Sequence, residues 1–255
     1  MGEIQYTLVT GASAGIGKAI AIELSKTDNL ILHGRDRNNL EETLRLCSVG
    51  NHVIWAYDLS KVDALQSDFE QTIVDNKLAI SRFVHCAGMA LPCAIRTVES
   101  GSVRQIVDVN AISAILLAGS LMKRRVAAKT MKAMVFISSV SAEFGTSGSA
   151  VYGASKARLD GFVRSMAVEL APSVRVNAIR PGFVESGMTD SYLSQPGVKA
   201  AVSKRHPLGI GVAEDIAKMV RFLISSEARW VTGQSFVVDG GVSCNLTFLP
   251  TKVRE

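Results

Sequence analysis

Tyr152 and Lys156, in the run Tyr152-Gly153-Ala154-Ser155-Lys156, are the side chains whose types and spacing most directly suggest chemistry. Four residues apart on a helix, they share one face, a turn from each other. A free phenol titrates near ~10 and a lysine near ~10.4. An ammonium close by favours the phenolate and draws the phenol toward working pH. Such a tyrosine could give a proton to a carbonyl oxygen or take one from an alcohol. The spacing alone occurs in many helices, and its meaning comes from what precedes it. Val135-Phe136-Ile137 is an apolar run ending in Ser138 and Ser139. A hydroxyl there could donate to an oxygen on which negative charge develops. Ser139 is the candidate, with Ser138 as its bland neighbour and Ser141 as a rival. Asn110 lies inside a predicted helix, where an amide side chain competes for backbone bonds. Its presence there is explained by a helix bend or a proton relay.

The elements that must position these residues alternate along the chain. Apolar runs at Ile4–Thr10, Leu30–His33, His52–Tyr57, Arg82–Cys86, Ala133–Ser138, Val174–Ile179 and Ser235–Val238 are continuous, as in strands buried on both faces. Helical patterns lie between them at Ile16–Lys26, Asn38–Cys47, Val62–Asn76, Ser102–Arg125, Tyr152–Leu170 and Ala213–Ser225. This alternation predicts an α/β fold: a doubly wound, mostly parallel seven-stranded sheet with helices on both faces, as one Rossmann-type domain over residues 1–255. Ser186–Gly211 is rich in Gly and Pro and weakly periodic, and is expected to be a lid over substrate or a disordered loop.

The first strand runs into Thr10-Gly11-Ala12-Ser13-Ala14-Gly15-Ile16-Gly17, and a helix follows at once. Gly11 permits the tight turn, Gly15 lets backbone approach a pyrophosphate, and Gly17 lets helix pack closely on strand. The helix N-terminus offers free N–H groups to phosphates. The spacing TGxxxGxG resembles the short-chain dehydrogenase/reductase family. That resemblance extends over essentially the whole chain. It takes in Asp58-Leu59, Ala87-Gly88, Asn110, Ser139 thirteen residues before Tyr152, and Asn177-Ala178-Ile179-Arg180-Pro181-Gly182. Thr232-Gly233-Gln234 and Val238-Asp239-Gly240-Gly241 complete it.

The resemblance implies an enzyme that moves hydride between NADP(H) or NAD(H) and a carbonyl or alcohol carbon. Asn110, Ser139, Tyr152 and Lys156 would be its catalytic set. An oxidised nicotinamide beside Tyr152 would add to the pull of Lys156 on the phenol. Implied cofactor contacts are Gly11, Ser13, Gly15, Ile16, Gly17, Arg35, Asp58, Leu59, Ala87, Gly88, Pro181, Gly182, Val184 and Ser186, with Asn110, Tyr152 and Lys156 shared. Gly34 stands where NAD-dependent relatives keep an acid. This favours Arg35 as partner of a 2′-phosphate, and hence NADP(H), with Asp36 as the competing sensor. Asp58 is either an adenine contact or a helix cap, a role open also to Ser60. His85-Cys86-Ala87-Gly88 departs from the family's NNAG and loses two asparagines that brace the sheet. Cys86 is read as a buried hydrophobe.

The C-terminal half most resembles 3-oxoacyl-[acyl-carrier-protein] reductases of fatty acid biosynthesis. A small or carrier-bound carbonyl substrate is expected, with a sugar or polyol as the alternative. A non-catalytic NADP-binding sensor or structural protein is the alternative of another class. A homotetramer or homodimer is expected through Ser102–Arg125, Tyr152–Leu170 and the last strand.

Composition sets further bounds. The chain has 255 residues, 47% hydrophobic and 20% charged, which suits one globular core. No apolar run reaches bilayer length by eye, and no signal-type segment precedes the first strand, so a cytoplasmic protein without a membrane partner is expected. The charge is +5, concentrated at Lys123, Arg124, Arg125, Lys129 and Lys132. That cluster is read as a solvated helix end, with an acidic partner as the functional alternative. Aromatics do not interleave with it, which argues against nucleic acid. Cys47, Cys86, Cys93 and Cys244 have no metal-type spacing and are expected to be reduced, with no metal bound.

Overall fold

A computed structural model describes residues 4–127 and 129–245, so the expected domain of residues 1–255 extends beyond the described residues at both ends. Seven strands form one sheet in the order β3-β2-β1-β4-β5-β6-β7, with every pairing parallel. They are β1 Gln5–Thr10, β2 Asn29–Gly34, β3 Val53–Ala56, β4 Ala79–His85, β5 Ala133–Ile137, β6 Arg175–Pro181 and β7 Ser235–Val238. The order reverses beside β1, where β2 and β4 flank it. Crevices at the carboxyl ends of such strands are where open α/β sheets bind ligands.

One sheet face carries α1 Gly15–Leu24, α2 Arg37–Leu46 and α9 Ala213–Ile224; the other carries α3 Val62–Asp75, α4 Ser100–Val107, α5 Ser113–Leu121 and α6 Ala150–Leu170. Each face buries its own apolar cluster. Leu8, Phe83 and Phe136 point to one side; Val9, Leu32, Val84 and Val135 point to the other. This is the period-2 consequence of strands covered on both faces.

Three expectations change. The helix expected at Ser102–Arg125 is two helices, α4 and α5, joined by a π-helical turn at Asp108–Ile112 that contains Asn110. An extra residue per turn re-aims a side chain, and such bulges mark functional positions. Ser100–Leu121 is also long and apolar enough to span a bilayer on length and composition, against the expectation of no such run. Here its Ala114, Leu117 and Leu121 pack into the core, and Ile106 is buried. Finally, Ser186–Gly211 is not a structureless loop. It holds α7 Gly187–Leu193 and α8 Val198–Arg205, and a parallel bridge between Val184 and Gly211 closes its base.

Candidate active site

A cavity of about 410 Å³ opens at the carboxyl ends of the strands. At one end lie Gly11, Ser13, Gly15, Ile16 and Gly17; at the other, Ser139, Tyr152 and Lys156. The β1–α1 turn is held by contacts that tolerate no side chain. A Cβ on Gly17 would come 2.0 Å from the Gly11 carbonyl oxygen, and one on Gly11 (φ +70°) would come 2.8 Å from Ala87 Cα. Ala14 occupies the N-cap of α1 and offers no side-chain acceptor, and the first turn has no acid. The first N–H groups of that helix thus lack a side-chain partner, which suits a pyrophosphate.

The end of the cavity expected to take adenosine is lined by His33, Gly34, Arg35, Asp58, Leu59 and Ser60. A Cβ on Gly34 would meet Leu40 at 3.1 Å and Ser13 at 3.2 Å, so an acid at this position would need its neighbours to give way. Asp36, the rival sensor, uses its Oδ1 to accept from the backbone N–H groups of Asn38 and Asn39 at the start of α2. Asp58 accepts from the Ser60 N–H (3.0 Å) and Oγ (2.9 Å), while Lys61 holds the N-cap position of α3. The cap reading therefore fails for both Asp58 and Ser60; they form a tight turn ahead of the helix. Burial pushes the Asp58 carboxyl up, but the Ser60 hydrogen bonds and the Arg35 charge outweigh it and leave the group below its ordinary value.

The missing asparagines of the β4 end are replaced by a threonine and a histidine. Thr10 Oγ1 accepts from the N–H groups of Cys86 (3.1 Å) and Ala87 (3.2 Å). Its one proton is then free to go to His85 Nδ1, 3.1 Å away. That leaves the proton of the neutral ring on His85 Nε2, which is buried without a partner. His33 sits on the neighbouring strand in register with Thr10 and donates from Nε2 to the Tyr57 carbonyl oxygen (3.1 Å). Burial lowers His33 to about 4 and His85 well below its ordinary value, where the Lys156 charge adds to the effect. Cys86 lines the cavity, and burial pushes its thiol up to about 12, so it stays neutral.

At the catalytic end, α6 presents Tyr152 and Lys156 one turn apart, as the spacing required. Lys156 Nζ donates to the Ile137 carbonyl oxygen (2.9 Å), and Ser138 Oγ donates to the Lys156 carbonyl oxygen (3.2 Å). Ser138 thus anchors the helix, and Ser139 is the serine that lies beside the phenol. Burial lowers Lys156 to about 8, with Cys86 and Asp160 opposing. Tyr152 moves the other way from expectation. Burial raises its pKa, and hydrogen bonding with Ser139 offsets only part of this. Lys156 Nζ lies 5.9 Å from the ring centroid and does not reverse the balance. The protein's own groups therefore keep the phenol protonated.

Asn110 is fully buried and committed. Its Oδ1 accepts from the Met89 N–H (2.7 Å), and its Nδ2 donates to the Met89 carbonyl oxygen (2.9 Å) and to Ser155 Oγ (2.9 Å). It ties the π-turn to the loop after β4 and to α6. Met89 begins the segment Met89–Arg96 in which the sequence places substrate choice, but its bond to Asn110 was not read there; Thr10 and Ser155 were not read as site residues, and only their contacts with the β4 loop and Asn110 reveal them. The remaining expected contacts, Ala87, Gly88, Pro181, Gly182, Val184 and Ser186, all line the same cavity. Ser186 lies against Gly15 and receives α7's Thr189, whose Oγ1 accepts from the Ser186 N–H (2.9 Å).

The basic cluster divides. Lys123 and Arg125 both pair with the buried Glu70, which also accepts from Ser120 Oγ (2.6 Å). Burial pushes Glu70 up, but these bonds hold it down at about 2. No group of three or more His, Cys, Asp or Glu suited to a metal occurs among the described residues.

Fold and site together define a nicotinamide-dependent oxidoreductase. A family profile described as enoyl-(acyl carrier protein) reductase matches residues 11–243. The chain belongs to the short-chain dehydrogenase/reductase family. It is 32% identical over 245 residues to carbonyl reductase family member 4 of Xenopus laevis, covering 93% of this chain and 98% of that one. It is 31% identical over 241 residues to the 3-oxoacyl-[acyl-carrier-protein] reductase FabG of Rickettsia bellii, covering 93% and 96%. Among solved structures, a 4-hydroxyisoleucine dehydrogenase complexed with NADH superposes with a TM-score of 0.87 at 28% identity, covering 94% of this chain and 99% of that one. The aldohexose dehydrogenase of Thermoplasma acidophilum gives 0.84 at 26% identity, covering 99% and 98%.

Proposed function

We propose that this protein is an NADPH-dependent reductase of an apolar ketone, of the 3-oxoacyl-(acyl-carrier-protein) type. The observation that carries the reading is the convergence of Ser139, Tyr152 and Lys156 on the cavity whose other end is the uncapped glycine turn. The nicotinamide, when bound, supplies the hydride. Ser139 donates to the substrate oxygen as charge develops there. Tyr152, kept protonated by burial, gives that oxygen its proton. Lys156 holds positive charge next to Tyr152 and would help to hold the nicotinamide ribose. Asn110 fixes the Met89 backbone, and with it the loop on the substrate side, rather than standing free in the cavity. Pro181, Gly182 and Val184 line the cavity and would wall the nicotinamide.

Arg35 at the cavity rim, with Gly34 in place of an acid, supports NADP(H) over NAD(H). The apolar substrate is supported by the side chains around the catalytic end. Met89, Val109 and Met188 line the cavity together with Ser139 and Tyr152, and Met188 is exposed on α7. A sugar or polyol substrate is the second reading, favoured by the likeness to the aldohexose dehydrogenase, and would leave the chemistry unchanged. A homotetramer is supported by β7 standing at the sheet edge with Val237 exposed, and by Trp230, 91% exposed beside it.

The test is absorbance at 340 nm with NADPH and NADH against 3-oxoacyl thioesters, simple ketones, and sugars or polyols. Thioester reduction with NADPH in preference to NADH is expected. Turnover confined to a sugar or polyol would overturn the substrate class. Tight NADPH binding without turnover of any of them would favour the sensor reading.

A further inference from the structure

One turn beyond Lys156 on the same stripe of α6 lies Asp160, a carboxylate buried to 3% exposure. Both of its oxygens are engaged. Oδ1 accepts from Ser235 Oγ (3.0 Å) on β7, and Oδ2 pairs with Arg180 Nε (3.0 Å) on β6. The same guanidinium, itself largely buried, continues through Nη1 to the carboxylate of Glu143. Glu143 closes the short turn Val140–Ala142 that begins at Ser139. Arg180 immediately precedes Pro181 and Gly182, and Gly182 packs against Asp239 so closely that a Cβ would come 2.7 Å from Asp239 Cα.

We propose that Asp160 and Arg180 are positioning residues that lock the Ser139 turn and the end of β6 onto the helix bearing Tyr152 and Lys156. The proposal rests on the reading of those three side chains as the reacting set. Three separate pieces of chain carry parts of the site: α6, the Ser139 turn and the β6 end. The Asp160–Arg180–Glu143 chain is a polar connection that touches all three, and Ser235 ties it to β7. Stability alone is a poor reason for it, because buried ion pairs replaced by apolar residues of similar volume often leave stability unchanged or raise it. Geometry is a better reason, since a donor misplaced by about 1 Å can cost on the order of a hundredfold in rate.

That contrast supplies the test. The double substitution Asp160→Val with Arg180→Met removes the charges and puts apolar side chains of similar size in their place. It is compared with Asp160→Asn, with the exposed-end variant Glu143→Gln, and with wild type. Each holoprotein with NADPH is followed by thermal unfolding, by hydrogen exchange of the amides of residues 139–145, and by kcat and KM for acetoacetyl-CoA. The expected result for the double variant is a melting point near wild type, faster exchange at 139–145, kcat reduced about tenfold or more, and KM within about twofold. Glu143→Gln, which folds without disturbing the buried pair, should move exchange and kcat in the same direction by less. A double variant with wild-type exchange and wild-type kcat at a recovered melting point overturns the proposal, as does faster exchange with unchanged kcat. If wild type does not reduce acetoacetyl-CoA, the substrate reading fails, and exchange at 139–145 still decides whether the chain of charges holds the turn.

Discussion

Acid should destabilise this protein well before its carboxylates protonate, because two neutral histidines are sealed under the cofactor cavity. His33 is held at about 4 and His85 well below its ordinary value, which for both is 6.5. In the unfolded chain both regain that ordinary value, so between pH 6.5 and pH 4 the unfolded state binds more protons. Stability must then rise with pH across that window. Each histidine's contribution is fully present above pH 6.5 and is lost as pH falls toward its folded value. At pH 5 the loss is about 2 kcal/mol for His33, and the loss at His85 has the same sign and adds to it. Glu70, held at about 2, is still ionised there and its contribution is nearly intact. A loss of that size is a large share of a typical domain's stability of about 5–15 kcal/mol. Urea unfolding at pH 8 and pH 5, with equal m-values, measures it directly. Replacing both histidines by glutamine should shrink the difference to under about 1 kcal/mol, the titrating groups being gone. Equal unfolding free energies at the two pH values in the wild-type protein would refute the reasoning.

Gly17→Ala places a Cβ 2.0 Å from the Gly11 carbonyl oxygen, so the turn must open. NADPH fluorescence titration should show binding weakened about tenfold or more while the far-ultraviolet circular dichroism is retained. Arg35→Ser removes the charge expected to meet a 2′-phosphate. It should lower kcat/KM for NADPH about tenfold to a hundredfold and leave NADH little changed, measured at 340 nm. Glu70→Ala strips a buried acid from Ser120, Lys123 and Arg125, but Arg125 is 70% exposed and Lys123 45%, so both cations can hydrate. The expected cost in urea is therefore only about 1–2 kcal/mol.

The sheet was legible because its signals are physical necessities: continuous apolar runs where strands are covered on both faces, and a glycine turn where helix meets strand. The strand bounds shifted by up to three residues, as at β4, which begins at Ala79, because Ala79-Ile80-Ser81 does not stand out from the loop before it. Tyr152, Lys156 and Ser139 were legible through one helical turn and one strand end. Asn110 was marked as costly within a helix, and its turn proved π-helical, a local choice set by the Met89 and Ser155 contacts across the fold. The pKa of Tyr152 could not be read from the sequence. Spacing reports the neighbouring ammonium and says nothing of burial, which here is the larger effect. Asp160 and Arg180 lie twenty residues apart, Arg180 at a variable position of the run Asn177–Gly182 and Asp160 outside any motif; only the β6–α6 packing brings them together.

The central claim is that Tyr152 transfers the proton in a site whose cofactor binding does not depend on it. The direct measurement is Tyr152→Phe, with NADPH affinity by fluorescence and turnover of the best ketone at 340 nm. The expected result is NADPH affinity within about threefold of wild type and a rate reduced by about a hundredfold or more. Turnover by Tyr152→Phe at the wild-type rate would contradict the account.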